Sequence, residues 1–256
     1  MEILNVKNLS FTYPESDTKA IDNISFSVNS GEFVVVCGES GSGKTTLLKM
    51  LKREITPHGT KSGEVLYNGE SIDTMNERES AQKIGFVFQK PEQQIVTDKV
   101  WHELAFGLES LGHNSDFIRL RVGEMANYFG ISHMFRSKTQ ELSGGQKQLM
   151  NLASVMAMSP QVLILDEPEL GLHPFAVGKL AGMIKMAAVN SQVIVSTQSA
   201  KLVDAFDIED VRVVDWDRGI GCSVIKKLNP ADFAAWTERY NSISDLWEKN
   251  LIGGQP

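Results

Sequence analysis

The stretch GESGSGKTT, which runs from Gly38 to Thr46, constrains the fold of this chain more than any other part of the sequence. It has the pattern G-x-x-x-x-G-K-[ST], follows the apolar run GEFVVVC and precedes leucines at a helical spacing. In such a loop the glycines let successive backbone N–H groups face phosphate oxygens, Lys44 reaches the β- and γ-phosphates, and Thr45 offers its hydroxyl to Mg²⁺. The sequence therefore predicts a strand, a phosphate-binding loop and a helix, with ATP and Mg²⁺ as ligands. The predicted nucleotide-binding residues of the loop are Gly38, Glu39, Ser40, Gly41, Ser42, Gly43, Lys44, Thr45 and Thr46.

The run VLILDE is the second constraint, because its apolar residues end in two adjacent carboxylates, Asp166 and Glu167. Phosphoryl transfer depends mainly on positioning and on neutralisation of charge, and a buried strand that ends in two acids can serve both needs. We predict that Asp166 holds Mg²⁺ together with Thr45, and that Glu167 polarises the attacking water. Two acids at a strand end can also be part of a solvated loop, an alternative that the phosphate loop makes less favourable.

The hydrophobic pattern predicts a single α/β domain over residues 1–256. Alternating apolar positions in the first thirty residues indicate an antiparallel β subdomain, and the short apolar runs KIGFVFQ, QVLILDE and QVIVST indicate a mostly parallel central sheet flanked by helices. A helical insertion is predicted from about residue 98 to 158. From about 210 to 256 we predict a hairpin that turns between Asp217 and Gly221, followed from Pro230 by two short amphipathic helices.

Charge and composition disfavour several classes of function. The formal charge is −7 and the basic residues are scattered, which disfavours nucleic acid as a partner. No apolar run approaches about 20 residues, and the N-terminus lacks the regions of a signal peptide, so we expect a cytoplasmic protein that meets membranes only through a partner. Cys37 and Cys222 are expected to be buried, reduced thiols, and the histidines show no metal-binding spacing.

The motif LSGGQ, from Leu142 to Gln146, opens the helical pattern that precedes VLILDE, and with it the sequence resembles the ATP-binding-cassette (ABC) ATPases. Ser143 can cap that helix; a plain cap would leave the two glycines unused. The resemblance implies a P-loop NTPase fold of the ABC type and a head-to-tail dimer with a second such subunit, identical or different. It further implies that Ser143, Gly144, Gly145 and Gln146 bind the γ-phosphate held by the other subunit.

Two further residues take their expected roles from the same resemblance. Gln89, at the end of KIGFVFQ, matches the glutamine that senses the metal ion and the water. Tyr13, in SFTYP, matches the aromatic residue that stacks on adenine, although a surface tyrosine on a strand would look the same in the sequence.

More narrowly, residues 1–168 are similar to the ATPase subunits of energy-coupling-factor importers, which take up vitamins or metal ions. The likeness lies in FTYP, in FVFQKPEQQIVTDKVWHELAFGLESLG and in the stretch from LSGGQ to VLILDEP. It implies an integral membrane partner that faces the region around Pro91 to Val100 and the helix after it, and a peripheral location on the inner face of the membrane. A solvated loop and an ordinary surface helix are the alternative for that region.

From Glu169 onward the sequence resembles predicted ATPases of the RecF-like and SMC-like branch instead. We therefore interpret the chain as a chimera, natural or engineered, with a seam near residues 168–174. His173 stands where the importer family has a loop aspartate, and Gln198 stands where it has a catalytic histidine. An amide cannot carry the positive charge of an imidazolium, so we predict slow ATP hydrolysis, with Gln198 in the catalytic set beside Glu167 and Gln89.

Two other classes of function compete with an importer-type ATPase. The first is a soluble RecF-like or SMC-like DNA-maintenance ATPase, which the acidic charge and the lack of a long coiled-coil insertion disfavour. The second is a scaffold or switch that binds ATP and dimerises without turnover. Salt-sensitive DNA binding would identify the first, and retention of nucleotide without phosphate release the second.

Overall fold

The protein is described here from a computed structural model that covers residues 2–217, 222–237 and 242–254. Its β-strands belong to two sheets. The strands are β1 (Glu2–Thr12), β2 (Ile21–Asn29), β3 (Val34–Cys37), β4 (Thr60–Tyr67), β5 (Glu70–Ser71), β6 (Ile84–Val87), β7 (Val162–Asp166), β8 (Gln192–Thr197), β9 (Val211–Asp217) and β10 (Cys222–Lys227).

The larger sheet carries the residues of interest and has the strand order β10-β9-β3-β8-β7-β6. Strands β9, β3, β8, β7 and β6 run parallel, and β10 runs antiparallel to β9 at the edge. The smaller sheet is antiparallel, with the order β2-β1-β4-β5. Since parallel strands place their carboxyl ends at one edge, the ends of β3, β7 and β8 lie side by side there.

Helices lie between these strands and after the last of them. They are α1 (Lys44–Met50), α2 (Glu77–Lys83), α3 (Val100–Ser110), α4 (Ser115–Tyr128), α5 (Gly144–Ala157), α6 (Pro174–Ala187), α7 (Ala200–Val203), α8 (Pro230–Thr237) and α9 (Ile243–Glu248). Several begin at a side chain that accepts a hydrogen bond from the first turn, as Asn76, Asn114 and Ser143 do. Within the described ranges, no helix combines the length and hydropathy of a membrane span.

The larger sheet lies between two hydrophobic cores because its central strands are apolar on both faces. Val34 and Val36 of β3 pack with the antiparallel sheet and α1, whereas Val35 and Cys37 pack with α3, α4, α5 and α6 on the opposite face. This continuous burial is typical of a parallel sheet that is covered on both sides. Burial also raises the pKa of the free Cys37 thiol to about 12, so the thiol stays protonated.

The predicted fold class is therefore confirmed: a P-loop α/β architecture with a mostly parallel sheet, an antiparallel N-terminal sheet and a helical insertion. Helices α3, α4 and α5 lie in the stretch from about 98 to 158, but the division of the chain into one domain with this subdomain stays a prediction. Strands β9 and β10 pair as a hairpin does, while the predicted turn at residues 218–221 and the side chain of Cys222 lie outside the described residues.

Candidate functional site

The predicted phosphate loop joins β3 to α1 through backbone conformations that glycine makes possible. Gly43 precedes α1 with a φ of 91°, and only glycine adopts this left-handed region without strain. A Cβ atom on Gly38 would lie 2.0 Å from the carbonyl oxygen of Val214, so no side chain fits at the start of the loop. The loop is thus held closely against β9, and its shape depends on that contact.

The ammonium group of Lys44 lies inside this loop, and the side chain is only 3% exposed. Its Nζ donates to the carbonyl oxygens of Gly38 and Glu39 at 2.8 and 2.9 Å, and lies 3.8 Å from Oε1 of Glu167. Burial lowers the pKa of Lys44, while the nearby carboxylates of Glu167 and Asp166 oppose that shift. An anion that entered the loop would therefore meet the desolvated ammonium of Lys44, and could replace the two backbone carbonyl oxygens as its hydrogen-bond acceptor.

Asp166 ends β7 with a carboxylate that is only partly satisfied. Its Oδ1 accepts hydrogen bonds from Thr45 Oγ1 at 3.0 Å and from Ser196 Oγ at 2.8 Å. Its Oδ2 is buried and has no hydrogen-bond partner among the described residues. Burial raises the pKa of Asp166. An orphaned carboxylate oxygen beside a threonine hydroxyl is the kind of hard-oxygen set that Mg²⁺ prefers, so these residues fit a magnesium ion.

Glu167 is held from both sides by side-chain amides. Gln89 Nε2 donates to Oε2 of Glu167 at 2.6 Å, and Gln198 Nε2 donates to Oε1 at 2.5 Å. The residue has a φ of 44°, a left-handed conformation that is strained for glutamate. Its backbone N–H donates to Ser196 at the end of β8. These contacts fix the carboxylate at the end of β7, next to the phosphate loop.

Six of the nine predicted loop residues, the carboxylate of Glu167 and both amides line one cavity of 490 Å³, whereas Gly38, Glu39 and Ser42 are not part of its lining. Tyr13 lies on its wall, where its hydroxyl is 2.8 Å from Thr46 Oγ1, its ring packs edge-on against Phe11 and its side chain remains 41% exposed. A half-exposed ring held in this way can stack on a base. The cavity is lined by Tyr13, Ser16, Thr18, Ala20, Ser40, Gly41, Gly43, Lys44, Thr45, Thr46, Gln89, Glu167 and Gln198.

The LSGGQ residues lie elsewhere on the molecule, since none of them lines this cavity. Ser143 caps α5: its Oγ accepts from the N–H of Gln146 at 3.3 Å, and the amide oxygen of Gln146 accepts from the N–H of Ser143 at 2.8 Å. Gly144 has open space where a Cβ would be, whereas a Cβ on Gly145 would lie 2.9 Å from Leu172. The structure thus separates this predicted phosphate-binding motif from the phosphate loop of the same chain.

Several contacts in or after β7 and β8 were not predicted from the sequence. His173 caps α6 through its Nδ1, which accepts from Phe175 N–H at 3.3 Å. Ser196 orients Asp166, and Glu169 contacts the segment that carries Gln198. The sequence carried one signal for Glu169, a third acid within four residues of Asp166, but nothing in the pattern indicated which way its side chain would point.

Comparison with known proteins identifies relatives for this architecture. The ABC transporter family profile matches residues 21–169. The chain is 32% identical over 230 residues to the energy-coupling factor transporter ATP-binding protein EcfA2 of Acetivibrio thermocellus, a match that covers 88% of this chain and 81% of that protein. Among solved structures, cbiO1 from Clostridium perfringens, described as part of the ABC transporter complex cbiONQ, superposes with a TM-score of 0.75 at 28% identity and covers 96% of this chain and 99% of that one.

Other relatives are longer than this chain. A provisionally named ABC transporter ATP-binding protein of Bacillus anthracis is 46% identical over 180 residues, which cover 70% of this chain and 33% of that protein. The chain therefore spans about a third of the length of the first curated relatives it matches.

These matches correct the interpretation of the chain as a chimera, which they do not support. A match that covers 88% of the chain must run across the predicted seam at residues 168–174, because the uncovered remainder is too short to reach it from either end. The change of sequence after Glu167 therefore lies within the stretch that matches this one relative.

Proposed function

The chain belongs to the ABC transporter family of ATPases, and we propose that it drives an importer of the energy-coupling-factor type. The name of the Acetivibrio relative, 81% of which the match covers, supports the importer class. The observation that carries the chemical part of the proposal is the carboxylate of Glu167, fixed by Gln89 and Gln198 at the wall of the cavity that Lys44 lines. The substrate that such an importer would carry is chosen outside this chain.

In the proposed cycle, the triphosphate of ATP lies in the loop from Gly38 to Thr46. The ammonium of Lys44 exchanges its two backbone carbonyls for phosphate oxygens, to which its hydrogen bonds are charge-assisted and so stronger. The adenine of ATP stacks on Tyr13. The hydroxyl of Tyr13 is hydrogen-bonded to that of Thr46, which holds the ring at the cavity wall. The loop and Tyr13 thereby account for binding, before any chemistry takes place.

Thr45, Asp166 and Gln89 would hold Mg²⁺ in this arrangement. The Thr45 hydroxyl and Oδ1 of Asp166 already contact each other, and Oδ2 of Asp166, which has no hydrogen-bond partner in the described part of the chain, can accept a cation. When bound, the ion would neutralise phosphate charge. Gln89 can offer its amide oxygen to the ion while its Nε2 still donates to Glu167. Occupancy of the metal site would then be connected to the position of the Glu167 carboxylate.

Glu167 is the proposed base that orients the attacking water and takes its proton. Gln198 Nε2 occupies one oxygen of that carboxylate, so the amide must share this oxygen with the water or yield it. A neutral amide also supplies less transition-state charge stabilisation than an imidazolium. Slow hydrolysis is therefore part of the proposal.

We further propose that two copies, or this chain and a related one, dimerise head to tail around two ATP molecules. None of the LSGGQ residues lines the cavity of its own chain, which supports this proposal, because the exposed N-terminus of α5 then has no phosphate to meet within one subunit. Gly145→Asp should block assembly by placing a carboxylate against the γ-phosphate and against Leu172.

Phosphate release measured together with light scattering, with and without MgATP, tests the chemical part of the proposal. We expect slow release of phosphate and a nucleotide-dependent dimer that the Gly145→Asp variant does not form. A chain that binds ATP and releases no phosphate would be the scaffold or switch instead. A dimer that forms without nucleotide, and that the Gly145→Asp variant also forms, would show that the interface lies elsewhere.

The membrane part of the proposal needs its own test. We expect the chain to lie on the inner face of the membrane and to co-purify with an integral transport subunit, through the region from Pro91 to Val100. Co-purification from detergent-solubilised membranes, with a chain substituted in this region as the control, is the measurement. The DNA-maintenance alternative stays a prediction that salt-sensitive binding to duplex DNA would support.

A further inference from the structure

Glu169 is a third buried carboxylate at the end of β7 that the proposed chemistry does not use. It is 9% exposed and does not line the nucleotide cavity. Its Oε1 accepts hydrogen bonds from the hydroxyl of Thr197 and from the backbone N–H of Gln198, the latter at 3.3 Å. Thr197 is the last residue of β8 and Gln198 follows it, so Glu169 joins the ends of two parallel strands beyond their last paired residues, Asp166 and Ser196.

These two hydrogen bonds hold the residue that reaches the proposed base. Thr197 donates its hydroxyl to Glu169 and accepts from the N–H of Ser199 at 2.9 Å, and Ser199 in turn caps α7. Gln198 is thus held by its own backbone and by both neighbours, while its side-chain amide donates to Oε1 of Glu167. An amide that must meet a carboxylate oxygen at hydrogen-bond distance tolerates little movement of its backbone.

The environment of Glu169 is costly for a carboxylate. Burial raises its pKa, the neighbouring Glu167 adds like charge, and Oε2 has no hydrogen-bond partner among the described residues. Within the same part of the chain, no cation lies within ion-pair distance of it. A buried carboxylate that is only half satisfied costs stability, and costs of this kind are expected at functional sites.

We propose that Glu169 is a positioning residue that fixes the Gln198 amide against Glu167 and so controls the rate of hydrolysis without contributing to nucleotide affinity. The inference rests on the proposed function of Glu167 as the base. It assigns to a residue outside the cavity the role of keeping the carboxylate of Glu167 oriented while water and nucleotide enter.

Two conservative variants separate position from charge. Glu169→Gln keeps the length of the side chain and an oxygen that can accept both hydrogen bonds, whereas Glu169→Asp keeps the charge but is one methylene too short to reach both donors. For ATP hydrolysis we expect Glu169→Gln to retain at least about a third of the parent kcat and Glu169→Asp to lose about tenfold. ATP affinity, measured by nucleotide titration, should stay within about threefold for both. An active Asp variant beside an inactive Gln variant would overturn the proposal, because the charge itself would then act.

A double-mutant cycle tests whether Glu169 acts through Gln198. In a Gln198→Ala background, Glu169→Asp should cost less than about twofold in kcat, because the amide that it positions is already gone. Additive losses would show an independent role and would contradict the proposal. The surface variant Glu64→Asp serves as the matched control, since Glu64 is exposed and pairs with Lys7.

Hydrogen exchange supplies a measurement that needs no turnover. The backbone N–H of Gln198 should exchange at least about tenfold faster in Glu169→Asp than in the parent, with Glu169→Gln close to the parent, because only the Asp variant loses the acceptor. Unchanged exchange in Glu169→Asp would overturn the positioning role even in an active enzyme. A parent chain that releases no phosphate, but shows the expected exchange pattern, would instead refute the proposed function and leave the contact established.

Discussion

The two sides of the nucleotide cavity are built in different ways. On the loop side, Lys44 donates to carbonyls five and six residues away in the same loop. On the opposite side, Glu167 accepts from Gln89 and Gln198, which are 78 and 31 residues away in sequence. The first set of contacts is made by one contiguous motif, and the second is assembled by the sheet from three strand ends. We infer that ATP binding depends mainly on the phosphate loop, and that turnover depends on the contacts assembled around Glu167. Substitutions on the loop side should therefore change ATP affinity, and substitutions on the assembled side should change kcat.

The largest effect is expected on the assembled side, from Glu167→Gln. An amide keeps the shape of the side chain but cannot take a proton from water, and general-base catalysis contributes roughly 10²–10⁴-fold to rates. We expect kcat to fall by about this factor while ATP affinity stays within about threefold. Phosphate release and nucleotide titration measure the two quantities. A variant that keeps more than about a tenth of the parent rate would remove Glu167 from the role of base.

On the loop side, Lys44→Ala should weaken ATP binding by about 100-fold, since charge-assisted hydrogen bonds contribute roughly 1.5–3 kcal/mol. Fluorescent-nucleotide titration is the measurement. Lys7→Ala is the matched control, because Lys7 is an exposed lysine that pairs with Glu64 and lies outside the cavity lining. Unchanged affinity in Lys44→Ala would place the nucleotide elsewhere and would break the distinction between the two sides.

The same difference explains how much the sequence predicts. The loop, its flanking strand and helix, and the position of Asp166 and Glu167 at a strand end follow from local patterns, and the structure has them in that arrangement. The contacts of Ser196 with Asp166 and of Glu169 with Thr197 do not, because they depend on β7 and β8 being neighbours in a parallel sheet. Strand order is a property of the whole chain that a hydrophobic pattern leaves open.

The comparisons do not support the chimera interpretation. That interpretation placed the altered loop after Glu167 and the glutamine at position 198 together in a C-terminal part that resembles a second branch of ATPases. In the folded chain, Glu169 of that loop accepts from the backbone N–H of Gln198, so the altered loop and the altered strand end meet at one contact. A loop and a strand end that fit each other are compatible with a single family, as the match across 88% of the chain indicates.

An intermediate effect is expected from position 198. Gln198→His should raise kcat by about tenfold, because an imidazole can donate to the same carboxylate or phosphate and can also carry positive charge, and tenfold corresponds to about 1.4 kcal/mol. Gln198→Ala should lower kcat by a similar factor, since it releases Oε1 of Glu167. Affinity should change little in either variant. A fast parent that Gln198→His slows would show that the glutamine is already adequate for this site.

The smallest effect concerns stability, and it follows from the buried carboxylate on the assembled side. The folded-state pKa of Glu169 is raised above its ordinary value of 4.5, chiefly by burial. A carboxyl whose pKa is raised on folding contributes stability below its unfolded pKa, and that contribution is lost as pH rises through the folded value. Parent and Glu169→Gln should therefore differ in Tm by an amount that shifts in favour of the glutamine variant between pH 4 and pH 8. Since about 1 kcal/mol moves the Tm of a domain of this size by roughly 2–4 °C, a shift of that order is expected.

Glu64→Gln, which removes an exposed carboxylate, should show little of this dependence. A Tm difference between parent and Glu169→Gln that stays constant from pH 4 to pH 8 would mean that Glu169 ionises as easily in the folded chain as in the unfolded chain. The burial of Glu169 would then cost the assembled side of the cavity no stability that the loop side keeps.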